Sequence, residues 1–155
     1  MKHPKGCFFG VEIQLIRIGD SLYSELVEEY SKIRPSWRKV KPLPQSWLNY
    51  GAGKSGLQFT WSFKSNNLYI DTGDGNENER IFENLERHKE KIEKELKSLT
   101  WERLEEKRAC RICIYKNIRA NIRTLKEEDY LKIVKWSVET MKNFSEVFSR
   151  YIEKL

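Results

Sequence analysis

The sequence is poor in the features that anchor or cross-link membrane and secreted proteins. Its 155 residues include only three cysteines, an odd number that does not form the disulfide framework of a small secreted domain. No apolar run approaches the roughly 18 residues of a membrane helix. The first residues also lack the long apolar segment and cleavage site of a secretory signal. We therefore expect a cytoplasmic protein with free thiols.

Charge of both signs is abundant, on a chain that is apolar enough to fold. Charged residues make up 34% and hydrophobic residues 39% of the sequence, and the formal net charge is +6. A disordered chain would be less apolar, and 155 residues suit one hydrophobic core. Residues 1–155 are thus predicted to form a single, mildly basic domain.

Hydrophobic periodicity indicates both strands and helices. A period of two predicts strands at 9–18, 57–63, 68–72 and 109–118, with a hairpin turn at Ser65-Asn66-Asn67. Helical spacing predicts helices at 22–33, 81–99 and 124–155, the last behind a possible capping box at 124–127. Residues 34–56 hold prolines and glycines without a sustained period, which predicts an irregular connection. The fold class is therefore α+β, a mainly antiparallel sheet of about four strands packed by two long helices and one short helix.

One motif superficially resembles a phosphate-binding loop. Gly53-Lys54-Ser55 has its closing residues, but Leu48 stands where the first glycine belongs, and a strand follows instead of a helix. Without a helix N-terminus the segment lacks the dipole that holds a phosphate. We interpret it as a glycine-rich turn with an exposed lysine.

A second motif resembles the Asp-Thr-Gly of aspartic proteases. Asp71-Thr72-Gly73 would need a partner loop and a later apolar segment that braces it, but an acidic helix follows instead. A metal at Asp71 and Asp74 would lack a visible third ligand. The prediction is a strand end followed by a helix cap.

The cysteines and histidines predict no catalytic, metal or cofactor site. Cys110 and Cys113 are three positions apart on a predicted strand, so they face opposite sides of the sheet and are expected to be buried thiols. His88 falls on the apolar face of a helix, where a packed histidine is the ordinary outcome. We expect no enzyme activity and no cofactor.

Two basic stretches without acidic residues, 30–70 and 107–126, are compatible with nucleic-acid contact. The alternative is a solvated basic surface whose aromatic residues belong to the core. The predicted phosphate-binding residues are Arg38, Lys39, Lys41, Lys54, Arg108, Arg111, Arg119 and Arg123. Trp37 and Trp47 are the residues expected to stack on unpaired bases.

A protein-interaction module is the other function that the sequence favours. The C-terminal helix is apolar over more than half its circumference, with Trp136, Phe144 and Tyr151 on one stripe. This face would pair with a second copy of the chain or with another protein.

An ordered series of segments resembles a known but uncharacterised domain. The segments are Gly6 to Ser21, Lys41 to Trp47, Gly53 to Gly56, Leu99 to Glu102, Lys107 to Ile112, and the closing helix with Trp136 and Phe148. The series is similar to the C-terminal domain that follows PD-(D/E)XK-nuclease-like domains in bacterial and archaeal proteins, and residues 1–20 resemble the last strand of such a nuclease-like domain.

The resemblance implies an accessory module of a nuclease or DNA-defence system, with nucleic acid or a nuclease-like protein as partner. The metal-binding Asp and Glu-X-Lys of such nucleases lie upstream of the matching segment. Glu12-Ile13-Gln14 is preceded by too few residues to be half of a complete site. We therefore expect the nuclease half to be absent.

Overall fold

The computed structural model describes residues 24–36, 47–104, 106–117 and 126–155, with the backbone but not the side chains of residues 47 and 127. The predicted strand at 9–18 and the greater part of the connection at 34–56 lie outside these residues. Helix α1 covers residues 24–33. The later elements are β1 (Trp47–Gly51), β2 (Leu57–Ser62), β3 (Ser65–Ile70), α2 (Gly75–Glu86), α3 (Lys89–Glu95), β4 (Leu99–Arg103), β5 (Cys110–Tyr115) and α4 (Glu127–Ile152).

The strands form one antiparallel sheet in the order β1-β2-β3-β5-β4. The predicted α+β class is confirmed, with five strands instead of about four. Alternation along each strand sorts the side chains onto two faces. Along β2, Leu57, Phe59 and Trp61 are buried, whereas Gln58 and Thr60 are more exposed.

The helices pack on the face of the sheet that carries the buried apolar side chains, which we call the helix-covered face. Phe59 of β2 lies 6.1 Å from Phe144 of α4, and Trp61 lies 5.3 Å from Tyr30 of α1 (ring centroids). At the other end, Trp101 of β4 contacts the ring of Phe82 in α2 at 5.9 Å. Burying these rings, at about 1.5–3 kcal/mol for each large apolar side chain, provides the main stabilisation of the domain.

The opposite face, which we call the polar face, carries mostly polar side chains. The strand register places the following side chains there: Asn49, Gln58, Thr60, Ser62, Ser65, Asn67, Tyr69, Thr100, Glu102, Arg111, Cys113 and Tyr115. Cys110 lies on the helix-covered face and Cys113 on the polar face, and both are free and buried as predicted.

Two strands were not predicted, and they stand at the two ends of the strand order. The prediction of an irregular connection at 34–56 is wrong toward its C-terminal end, because Trp47–Gly51 forms β1. Leu99–Arg103 forms β4, although helical periodicity was expected to run to residue 99. Each strand has only five residues, so its sequence shows only a short alternation. Each also pairs with only one described neighbour.

The predicted hairpin turn and long helix also need correction. The turn lies at Phe63 and Lys64, and Asn66 and Asn67 belong to β3. The helix expected at 81–99 is divided into α2 and α3 near His88, whose ring packs against Tyr151 of α4 at 5.2 Å. A continuous apolar stripe is compatible with one helix or with two. The break between α2 and α3 coincides with the contact between His88 and α4.

The C-terminal helix is confirmed, although it begins later than predicted. It starts at Glu127 behind Lys126, whose side chain makes no capping hydrogen bond. The threonine of the proposed capping box lies outside the described residues.

Candidate nucleic-acid interface

Three of the predicted phosphate-binding residues are described with their side chains: Lys54, Arg108 and Arg111. Trp47 begins β1, but its side chain is not described. The other predicted residues lie outside the described part of the chain, and they are Trp37, Arg38, Lys39, Lys41, Arg119 and Arg123.

Lys54 lies in the turn between β1 and β2. The backbone N–H of Leu57 donates to the Lys54 carbonyl at 3.1 Å, and Gly53 and Gly56 have φ angles of 91° and 84°. A side chain at Gly56 would also come within 2.7 Å of Thr72. The Gly-Lys-Ser segment is therefore a hairpin turn followed by a strand, as predicted, and offers no helix N-terminus to a phosphate.

Arg108 is held by Asp71, which directly follows the end of the central strand β3. Its Nε donates to Asp71 Oδ1 at 2.8 Å and its Nη2 to Oδ2 at 3.3 Å. The Arg108 hydrogen bond is the main reason that the pKa of Asp71 lies below its ordinary value, with help from Gly73 and Asn78. Asp71 is thus a structural carboxylate at the end of β3.

Asp74 caps the next helix. Its Oδ1 accepts from the backbone N–H of Asn76 at 2.9 Å, at the start of α2. The strand end and helix cap predicted for the Asp-Thr-Gly motif are therefore present. The described ranges contain no group of three or more His, Cys, Asp or Glu side chains that could hold a metal.

Arg111 lies on the polar face, next to both an acid and a tyrosine. Its Nε donates to Glu102 Oε2 at 2.8 Å, and its Nη2 donates to the Tyr115 hydroxyl at 3.3 Å. That hydroxyl donates to Glu102 Oε1 at 2.9 Å. Burial, followed by hydrogen bonding with Cys113 and Glu102, raises the pKa of Tyr115 above its ordinary range. The cluster holds the Arg111 guanidinium and the Tyr115 ring in place.

Two tyrosines of the polar face are accessible enough to stack on a planar ligand. Tyr115 on β5 is 48% exposed, and Tyr69 on β3 is partly exposed and pairs with Arg111 in the register. The Cα atoms of Arg111 and Tyr115 are about 13 Å apart along β5, and their long side chains bridge this distance. Arg111 thus has Tyr69 opposite it on β3 and is hydrogen-bonded to the hydroxyl of Tyr115.

A depression of about 440 Å³ lies beside Tyr69. It is lined by Asn49, Gln58, Thr60, Ser62, Asn67, Tyr69, Lys107 and Arg111. Apart from the tyrosine ring these are amides, hydroxyls and cations, which are groups that hydrogen-bond base edges and phosphates. Its size falls within the range of about 300–1,000 Å³ that is usual for ligand sites.

Sequence reasoning missed most of this site. It selected Arg111 as a site residue. Tyr69 and Lys107 fell within the two basic stretches but were not selected, and Asn67 and Tyr115 were not considered, because the search was for basic stretches and not for one face of a sheet. The alternation within 57–63 and 109–118 was a usable signal. Because the turn was predicted at 65–67, Asn67 was not assigned to a strand and therefore not to the polar face.

The residues proposed for partner docking are packed within the domain. Phe144 is fully buried and contacts Phe148 at 4.7 Å as well as Phe59. Trp136 is partly buried, with Lys116 Nζ 5.1 Å from its ring centroid, and Tyr151 packs on His88. Docking through Phe144 would require α4 to leave the sheet.

Neither described thiol has the character of a nucleophile. Burial raises the pKa of Cys110 and of Cys113, so both stay protonated at neutral pH. Their opposite faces also prevent them from sharing a metal, as predicted.

Residues 21–152 match the model of the family described as Domain of unknown function (DUF4268). The chain belongs to this family. No curated protein and no solved structure matches it. The predicted resemblance to a domain of unknown function is therefore confirmed. The description of the DUF4268 family names no reaction. In the part of this DUF4268 chain that the structure describes, no helix is long and apolar enough to cross a membrane.

Proposed function

We propose that the protein is a noncatalytic module that binds single-stranded nucleic acid across the polar face of its sheet. The observation that carries this proposal is the arrangement of Tyr69 and Tyr115 around Arg111, beside a depression lined by amides and hydroxyls. Aromatic rings on a sheet stack with unpaired bases, and neighbouring amides hydrogen-bond their edges. A duplex hides those edges and faces, so a single strand fits this surface better.

The charge of the polar face favours contact with few phosphates. Glu102 already neutralises Arg111, and Arg108 is paired with Asp71. Lys107 lines the depression, and Lys64 is exposed in the turn between β2 and β3. With about two to three phosphates contacted, the logarithmic salt slope for a single strand is about −1.4 to −2.1.

Fluorescence anisotropy with labelled single-stranded DNA, single-stranded RNA and duplex DNA of about 12 nucleotides tests the proposal. We expect single strands to bind more tightly than the duplex, with the modest salt slope given above. Lys107→Gln should weaken binding and flatten the slope, whereas Lys142→Gln on α4 is the matched control. Absence of binding at low salt, or tighter binding of the duplex, overturns the proposal.

The first basic stretch of the sequence, 30–70, extends the proposal beyond the polar face. We propose that Lys39, Lys41 and Lys54 add phosphate contacts, and that Trp37 or Trp47 adds a stacking surface. Charge reversal at the three lysines should lower affinity and reduce the salt slope. Unchanged affinity and slope would restrict the interface to the polar face.

The resemblance noted above adds a cellular context to the proposal. We propose that the module acts in the prokaryotic cytoplasm, as an accessory to a nuclease-like protein in DNA metabolism or defence. The free, buried thiols Cys110 and Cys113 suit a reducing compartment. Co-purification with a co-expressed nuclease-like domain tests this part, and failure to form a complex would contradict it.

Protein docking through α4 is the second candidate function. It is favoured by Leu131, which is 54% exposed near the start of α4, and by the partial exposure of Trp136. Sedimentation velocity over a range of concentrations tests self-association. A monomer at every concentration would oppose dimerisation through this helix.

A further inference from the structure

The depression on the polar face contains an amide oxygen with no hydrogen-bond partner in the described part of the chain. Asn67 lines the depression and is 5% exposed, yet its buried Oδ1 has no partner. The adjacent Asn66 points the other way, and its Nδ2 donates to the Ser137 carbonyl of α4 at 3.1 Å. Asn66 thus helps to dock α4 through its Nδ2, although its own Oδ1 is also unpaired, whereas Asn67 lines the depression. Since buried polar groups are nearly always paired, Asn67 points to a ligand.

Thr60 gives this part of the depression a definite hydrogen-bonding character. Thr60 and Asn67 are paired across β2 and β3, so their side chains are neighbours on the polar face. The Thr60 hydroxyl donates to Asn49 Oδ1 at 2.9 Å. With that hydrogen committed, Thr60 Oγ1 offers only lone pairs, beside the unpaired Oδ1 of Asn67. Two neighbouring acceptors match an amino group, which has two hydrogens, and they repel a carbonyl oxygen.

We infer that this depression holds one nucleobase that carries an amino group beside an unprotonated ring nitrogen, as adenine and cytosine do, and that Asn67 reads it. The amino hydrogens would be accepted by Asn67 Oδ1 and Thr60 Oγ1, and Asn67 Nδ2 would donate to the ring nitrogen. An asparagine amide pairs with adenine in the same donor and acceptor pattern. Uracil and thymine place a carbonyl oxygen there and are disfavoured.

The surroundings of Asn67 suit a base that has left its stack. Tyr69 lies two residues further along β3 on the same face and offers its ring to the base. Lys107 lines the same depression and provides positive charge for the attached phosphate. The inference rests on the proposed function, because a base that is not part of a bound strand would contact only this one depression.

Anisotropy titrations with single-stranded RNA made only of adenine, only of cytosine or only of uracil test the inference. The wild-type chain should bind the adenine or cytosine strand about tenfold more tightly than the uracil strand, as expected for one bidentate contact. Asn67→Val, which keeps a shape suited to a strand, should reduce this preference to within about twofold, mainly by weakening binding of the adenine or cytosine strand. Asn143→Ala, an exposed amide on α4, is the matched control.

The outcomes separate this inference from the proposed function. If no strand binds, the proposed function fails and the inference fails with it. If all strands bind equally, or if the preference survives Asn67→Val, the inference is overturned while the proposed function stands. Should Asn67→Val not fold, as shown by a thermal melt, Thr60→Val replaces it. Loss of the preference in that variant supports the inference, and its persistence overturns it.

Discussion

The two faces of the sheet share the same strands but differ in what their side chains contact. On the helix-covered face, Phe59, Leu68 and Ile112 stand side by side on β2, β3 and β5, each at most 4% exposed. On the polar face the neighbouring row is Gln58, Tyr69 and Arg111, all at least partly exposed. The first row stabilises the fold through burial. The second contributes little burial, and within the described residues its side chains remain at least partly accessible.

The largest difference between the faces should appear in stability. Phe144→Ala removes a ring buried against the helix-covered face and should lower the free energy of unfolding by about 3–5 kcal/mol. Tyr115→Ala on the polar face should lower it by less than about 1 kcal/mol. Urea unfolding measures both. A stable Phe144→Ala variant with an altered oligomeric state would instead favour docking through α4.

Nucleic-acid affinity should show the opposite ranking. Tyr69→Ala and Tyr115→Ala each remove a stacking surface, and each should weaken binding of a single strand by about 1–3 kcal/mol. Tyr151→Ala, at the end of α4, is the matched control and should bind like the wild type. Equal losses in all three variants would show that the polar face is not the interface.

The ion pair on the polar face allows a prediction of opposite sign. Glu102→Gln removes the charge that neutralises Arg111, so the guanidinium becomes available to a phosphate. Affinity should rise at low salt, and the salt slope should steepen by about 0.7. The same variant should lower the pKa of Tyr115, because the hydrogen bond to Glu102 contributes to raising it. Anisotropy and an ultraviolet pH titration measure these effects, and weaker binding would contradict the prediction.

The smallest expected effect is on thermal stability, and it concerns the Asp71 carboxylate just past the end of β3. Its folded-state pKa lies below the ordinary value of 3.8, so its contribution to stability is present above that pH. The contribution is lost as the pH falls through the lowered folded value. Asp71→Asn should therefore reduce Tm slightly at pH 7, and the difference should vanish in acid. The comparison variant is Arg80→Ala, which removes the exposed ion pair between Glu77 and Arg80. A difference that is independent of pH would show that shape, not charge, matters at Asp71.

Much of the fold followed from local patterns. The alternation of Leu57, Phe59 and Trp61 predicted β2, and the apolar stripe of the C-terminal segment predicted α4, because each pattern puts its apolar side chains on one face. The opposite orientations of Cys110 and Cys113 followed from the same geometry. These features depend only on the period of the backbone.

The candidate site was less predictable. Ser65-Asn66-Asn67 has turn-forming residues, yet Asn66 is held in β3 by its bond to α4, and this places Asn67 on the polar face. Arg108 and Arg111 were identified as basic residues, but their partners Asp71 and Glu102 are 37 and 9 positions away in the sequence. No local pattern reveals which charges are already neutralised.

By itself the sequence determined the class of the domain, the interior strands β2, β3 and β5, the long C-terminal helix and the absence of a phosphate-binding loop at Lys54. These follow from side-chain periodicity and backbone chemistry within a few residues. Only the tertiary structure decided the strand order, the short strands β1 and β4 at its ends, and the meeting of Asn67, Tyr69 and Arg111 on one face. The reason is physical, because pairing between distant strands and packing under α4 set the register, and the register decides which side chains become neighbours.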